Sequence, residues 1–171
     1  CLGHTNERVI TAIKNQLDKV SFAHTGVFSN EPAEQLATYL IENAPDGFGN
    51  GRAMFLGSGS EAMEAALKLA RQYHLERGDE ARTKIIARDK SYHGNTLGAL
   101  ATGGHKQRQK PFDPLLIDVA HIPPCYAYRY KNDGESDEAF GLRMANALEE
   151  EILKHGAGSV AAFVAEPVSG A

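Results

Sequence analysis

The 171-residue chain contains no tryptophan and only two cysteines, Cys1 and Cys125. Two cysteines are too few for a disulfide scaffold, and no Cys-x-x-Cys pair offers a zinc site. A reducing, cytoplasmic compartment is the expectation. Long apolar runs are also missing. The longest, Val160 to Ala165, falls far short of the roughly 18 residues a membrane helix needs. There is no basic surplus either: net charge is −4 and the isoelectric point is about 6.0, so the chain lacks the overall footprint of a nucleic-acid binder. His4, His24, His74, His105, His121 and His155 show no paired spacing, and no metal centre is expected. The sequence does not open on methionine, no signal peptide is visible in it, and Cys1-Leu2-Gly3-His4 and Glu166 to Ala171 both read as cut ends of a longer chain.

What remains is ordinary globular composition, 42% hydrophobic and 23% charged, which excludes collagen-like and strongly disordered classes. Helical spacing of Val9/Ile10, Ile13, Leu17 and Val20 predicts a helix over Asn6 to Val20, capped by Thr5 or Asn6. Ser29 or Asn30 caps a second helix with Pro32 in its first turn. Arg52 to Leu56 is a strand candidate, followed by Gly57-Ser58-Gly59-Ser60 and a helix to about Glu76 that Gly78 closes. Glu61, Glu64, Lys68, Arg71 and Gln72 form that helix's polar stripe.

Further strands are expected at Lys84 to Ala87, within Leu115 to Ile122 and at Val160 to Val164. Between them lie a short helix through Ala101 and a longer one from Ser136 to about His155. Strands alternating with helices, with apolar strands, predict an α/β architecture whose sheet is covered on both faces. No repeat or dividing linker is visible.

The chemistry-bearing features begin at Gly57-Ser58-Gly59-Ser60. A helix start offers unpaired N–H groups and partial positive charge, glycines admit close approach, and serine hydroxyls add donors, which together suit a phosphate. Ser58-x-x-Glu61 equally fits a capping box, and the two readings are compatible. Gly57-x-Gly59-x-x-Ala62 also matches a dinucleotide fingerprint, with Asp89 as a rather distant candidate acid. Tyr92-His93-Gly94 follows the second strand, where α/β ligand sites lie. Its tyrosine is placed either to stack on a planar ring or simply to pack. Glu166 ends a buried strand, as an active-rim carboxylate or a structural ion pair. Lys106, Arg108 and Lys110 read as a solvated loop, and Tyr126, Tyr128 and Tyr130 as strand or surface.

The order of three segments ties these features together: Gly-Ser-Gly-Ser-Glu-Ala-x-Glu-Ala-Ala-x-Lys-x-Ala-Arg (57–71), Ser-Tyr-His-Gly-Asn-Thr-Leu-Gly-Ala-Leu (91–100) and Phe-Val-Ala-Glu-Pro-Val-x-Gly (163–170). That order resembles class III aminotransferases, pyridoxal-5′-phosphate enzymes of fold type I. Leu2-Gly3-His4 and Ser29-Asn30-Glu31-Pro32 are similar to the family's amino-terminal region.

The resemblance implies a three-layer α/β/α sandwich with a mostly parallel sheet, residues 1–171 forming part of the cofactor-binding large domain. It implies that Gly59 and Ser60, with Ser58 beside them, hold the cofactor phosphate. Tyr92 stacks on the pyridine ring with His93 next to it, Glu166 lies by the ring and orients the acid on its nitrogen, and Phe28 lines the substrate pocket. It implies amine or amino acid donors, keto acid acceptors, a homodimer, and neither nucleic acid nor membrane as partner.

The family's Schiff-base lysine and ring-nitrogen aspartate lie beyond the Glu-Pro-Val motif. No catalytic residue is therefore assigned in this chain, and the chain alone is expected to be inactive, with the small C-terminal domain also lacking. Two other readings stay open: an NAD-dependent oxidoreductase using the glycine fingerprint, and a non-catalytic domain of aminotransferase fold.

Overall fold

The computed structural model describes residues 2–170 and divides into two compact units, with the boundary between Phe55 and Leu56. In the N-terminal unit, α1 (Glu7–Lys19) starts where Asn6 Oδ1 accepts the Val9 N–H at 3.2 Å. In the same way α2 (Glu31–Glu42) starts at Asn30, whose Oδ1 accepts the Ala33 N–H at 3.1 Å. Pro32 in its first turn removes an N–H that has no helical partner anyway. Neither helix buries a residue; Val9, Ile10, Ile13 and Leu17 leave the apolar stripe of α1 exposed. The strand expected at Arg52 to Leu56 does not form. A strand exists through its ladder, and no described strand pairs with this segment.

The C-terminal unit opens with α3 (Gly59–Glu76), capped by Ser58 and closed by Gly78 at φ 79°. A left-handed residue at that point suits glycine. Three strands follow in chain order, β1 (Lys84–Arg88), β2 (Val119–Ile122) and β3 (Val160–Val164). They form a parallel sheet in the order β2-β1-β3, with Ile86 opposite Ala120 on one side and Phe163 on the other. Between β1 and β2 run α4 (Leu97–Thr102), the single turn α5 (Lys106–Gln109) and a 3-10 segment Lys110–Leu115. Between β2 and β3 run the single turn α6 (Ala127–Tyr130), where Tyr126 packs edge-on to Tyr130, and α7 (Asp137–His155).

Central β1 buries Ile85, Ile86 and Ala87 in succession, as a strand covered on both faces must. Ile86, fully buried, joins Ile122 and Val160 in a core on which Leu148 and Ile152 of α7 pack. Burying one such isoleucine is worth about 1.5–3 kcal/mol. Ile85 and Ala87 point the other way, and α3 and α4 pack against β3 and β1. The result is the α/β layering expected from the alternating elements. Polar ties fix its edges: His74 on α3 meets the Ala161 carbonyl at 2.9 Å, and Arg82 donates to the carbonyls of Ala157 and Val160. No described helix is long and apolar enough to cross a membrane, and no described group of three or more His, Cys, Asp or Glu could hold a metal ion.

Candidate functional site

The start of α3 presents free donors. Ser58 Oγ accepts the Glu61 N–H at 3.2 Å, which is the capping half of the Ser58-x-x-Glu61 pattern. The amides of Gly59 and Ser60 have no acceptor among the described residues. A Cβ at Gly59 would meet nothing within 4 Å, so the space beside them is open. Ser60 Oγ accepts the Asn95 N–H at 3.0 Å, which leaves the hydroxyl proton to donate elsewhere. An 18-residue helix ending in two such amides and a hydroxyl suits an anionic group.

The loop after β1 closes over this helix start. Gly94, at φ 134°, lies so near that a Cβ there would sit 2.7 Å from Ser60 Oγ and 3.0 Å from Ser60 Cα. Any larger residue would push the loop off the helix. Glu64, one turn beyond Ser60, accepts the N–H groups of Gly98 and Ala99 at 2.9 and 3.2 Å. Its carboxyl is held below the usual range, chiefly by the Thr96 hydroxyl and further by those two amides, against the opposing effect of burial.

The same loop reaches the end of β3. Tyr92 N–H donates to Glu166 Oε2 at 3.2 Å. The Tyr92 ring is 42% exposed, with the Arg108 guanidinium 5.3 Å from its centroid. Burial pushes the His93 imidazole below its usual value, Glu166 opposes this and His121 adds to it. His93 Nε2 is buried without a partner. Because the strands are parallel, Ser91, Cys125 and Glu166, which follow β1, β2 and β3, gather at one sheet edge around a cavity of about 330 Å³. Ligands of α/β proteins bind at this edge. The three sequence segments, 57–71, 91–100 and 163–170, therefore meet through Ser60–Asn95 and Tyr92–Glu166.

The model of the class-III aminotransferase family matches residues 1–171. The chain belongs to the class-III aminotransferase family. An uncharacterized aminotransferase of Schizosaccharomyces pombe is 50% identical over all of this chain, which spans 37% of that relative. The hypotaurine/taurine–pyruvate aminotransferase of Paracoccus denitrificans is 36% identical over 98% of the chain, corresponding to 35% of its own length. Among solved structures, the omega transaminase of Pseudomonas jessenii in complex with PMP aligns with a TM-score of 0.91 at 35% identity, over 99% of this chain and 37% of its own. The chain thus spans little more than a third of the class-III proteins it matches. These similarities give no support to the dinucleotide reading, and the strand such a fingerprint needs before Gly57 is not formed.

Four of the expected residues, Ser60, Tyr92, His93 and Glu166, lie within this arrangement, with Ser58 and Gly59 at the helix start. Phe28 belongs to the N-terminal unit and is exposed. Sequence reasoning missed Glu64, Asn95 and Arg108. Glu64 reads as one member of a polar stripe and Arg108 as part of a solvated run. Their partners lie 32 or more residues away for Glu64 and 16 for Arg108, so no local spacing signals them.

Proposed function

We propose that the protein is a pyridoxal-phosphate-dependent aminotransferase that moves an amino group from an amine or amino acid to a keto acid, and that this chain carries the phosphate and ring contacts of its cofactor. The observation that carries the reading is the convergence of the helix start, the Tyr92 loop and Glu166 through Ser60–Asn95 and Tyr92–Glu166. The residues fit the group. Free amides of Gly59 and Ser60, with the Ser60 hydroxyl and Ser58 beside them, are donors for a phosphate. The exposed Tyr92 face suits a planar heterocycle, with His93 alongside it and Glu166 at its edge.

When bound, the cofactor supplies an electron sink for chemistry at the donor's α-carbon. This chain's residues would bind and orient it: Gly59 and Ser60 would hold its phosphate, and Tyr92 would face its ring. Glu166 holds the Tyr92 loop by its backbone. His93, kept neutral at physiological pH, adds no charge beside the ring. No residue of this chain is assigned as the Schiff-base lysine.

A homodimer is part of the proposal. Phe22, Val27 and Phe28 are 79%, 74% and 67% exposed in one loop, an apolar patch better covered by a partner than by water. Phe28 then lines the substrate pocket. The test is a cofactor titration of the full-length protein, followed by assay of amine donors with pyruvate and by light scattering. Saturable cofactor uptake and amino transfer are expected from a dimer. A protein that takes up no pyridoxal phosphate refutes the reading.

A further inference from the structure

A second cavity, of about 820 Å³, shares Asp89 and Pro124 with the one beside Glu166. Its size is that of a small-molecule pocket, and its wall is cationic: Lys90, Lys106, Arg108 and Arg143 line it against a single carboxylate, Asp89.

Two of the four cations are already matched. Arg143 is gripped by both oxygens of Glu135 at 2.8 Å and donates to the Tyr130 carbonyl at 2.7 Å. Lys106 Nζ lies 3.7 Å from Asp89 Oδ1 and 3.3 Å from His121 Nδ1. Lys90 and Arg108 have no carboxylate partner among the described residues. Arg108 meets only the Tyr92 ring, which leaves its N–H groups unspent.

The backbone holds these cations in place. Lys90 has φ 59°, the one non-glycine residue with positive φ among those described, and such a conformation persists only where surroundings impose it. Here they do: Lys90 N–H donates to the Gly104 carbonyl at 3.0 Å, and Gly104 N–H donates to the Ser91 carbonyl at 2.8 Å. The two strands of loop lie so close that a Cβ at Gly104 would sit 2.2 Å from Lys90 N. Gln109, buried beside Arg108 in α5, donates its side-chain amide to the carbonyls of Leu100, Ala101 and Gly103 at 2.9, 3.2 and 2.6 Å. Arg108 therefore projects from a turn that is pinned to α4.

We propose that this cavity binds a compact dianion, a phosphate monoester or a dicarboxylate, through Lys90 and Arg108, at a site separate from the phosphate seat at Gly59 and Ser60. Two unmatched cations fit two negative charges, and a guanidinium fork suits both oxyanion types. The proposal does not depend on the aminotransferase reading.

The experiment is isothermal calorimetry at low ionic strength of the full-length protein, loaded with pyridoxal phosphate and freed of excess so that the Gly59 and Ser60 seat is filled, with inorganic phosphate and malonate as probes. Saturable binding of at least one is expected, and which one binds tells the phosphate source from the dicarboxylate. Arg108→Gln and Lys90→Gln should each weaken it about tenfold, the loss of one charge-assisted contact. Arg108→Lys, which keeps the charge, should lose less, and Ser60→Ala should lose nothing. Absence of saturable binding for both probes overturns the proposal. So does binding that survives both glutamine variants, or binding that disappears in Ser60→Ala while both glutamine variants retain it.

Discussion

Removing the Glu64 carboxylate should loosen the Tyr92 loop and destabilise the C-terminal unit. Glu64 caps the first turn of α4 from the neighbouring helix: its Oε1 accepts the Gly98 and Ala99 amides at 2.9 and 3.2 Å. These are two of the orphan donors every helix start leaves, and Thr96, the N-cap, makes no side-chain capping bond to them. Bonds to a charged acceptor contribute roughly 1.5–3 kcal/mol each when buried. Glu64 is only half-buried, so solvent screening reduces the pair to a total of about 1–2 kcal/mol.

Glu64→Gln keeps an oxygen acceptor and should cost about half of that, and Glu64→Ala should cost the whole. The pH dependence has a definite sign. The folded carboxyl titrates below its ordinary value of 4.5, so the stabilisation is fully present above about pH 4.5 and is lost as pH falls through the lower folded value. Urea unfolding of the full-length protein at pH 7 and at steps below pH 4.5 measures both effects. The variants should lose stability at neutral pH and show a shallower acid slope. Equal midpoints for wild type and Glu64→Ala across that range would refute the reasoning.

At Gly104, substitution by alanine forces a Cβ to within 2.2 Å of Lys90 N and 2.4 Å of the Arg88 carbonyl. With backbone on both sides it should cost at least about 3 kcal/mol, read as a lowered urea midpoint. Gln109→Leu removes the amide that serves the carbonyls of Leu100, Ala101 and Gly103, of which Gly103 also meets His121 Nε2 at 2.8 Å, and should cost about 1–3 kcal/mol by the same measurement. In the holoenzyme, Ser60→Ala should weaken cofactor retention by about 1–3 kcal/mol in a dialysis titration. Tyr92→Leu should weaken it by about 0.5–1.5 kcal/mol and shift the cofactor's absorption band.

Features legible in the sequence were those whose cause is local. Asn6, Asn30, Ser58 and Ser136 all cap the helices they precede, because a cap needs only the amide three residues on. Gly78 and Gly156 close helices with positive φ, and β1 and β3 follow from short apolar runs. The segment 110–115 became a 3-10 turn and confined β2 to Val119–Ile122, since Pro111 and Pro114 cannot serve a ladder. Tyr126 to Tyr130 formed a helical turn rather than a strand, because alternation in a segment with no sheet neighbour has nothing to pair with. The candidate site residues could be picked out only through the order of three motifs. Their meeting depends on bonds between residues 35 and 74 positions apart, Ser60 to Asn95 and Tyr92 to Glu166.

The polar side chains of α3 show why such contacts escape a periodicity argument. Charged and hydroxyl residues at helical spacing ordinarily mark the solvent face, yet here several polar side chains lie on the half-buried face, beside Met63 and Leu67. Ser60 takes the Asn95 amide and Glu64 those of Gly98 and Ala99. Arg71 donates to the carbonyls of Glu80 and Arg82, and His74 meets that of Ala161. These residues fall at spacings of four, seven and three, a single stripe along the helix. Leu69 and Tyr73, off that stripe, are 58% and 55% exposed. These polar contacts have a physical cause. What faces this side of α3 includes loop backbone, whose N–H and C=O groups must be paired once removed from water, and an apolar side chain cannot pair them. The helix that offers its amino end to the proposed phosphate thus uses polar side chains of this face to fix the Tyr92 loop.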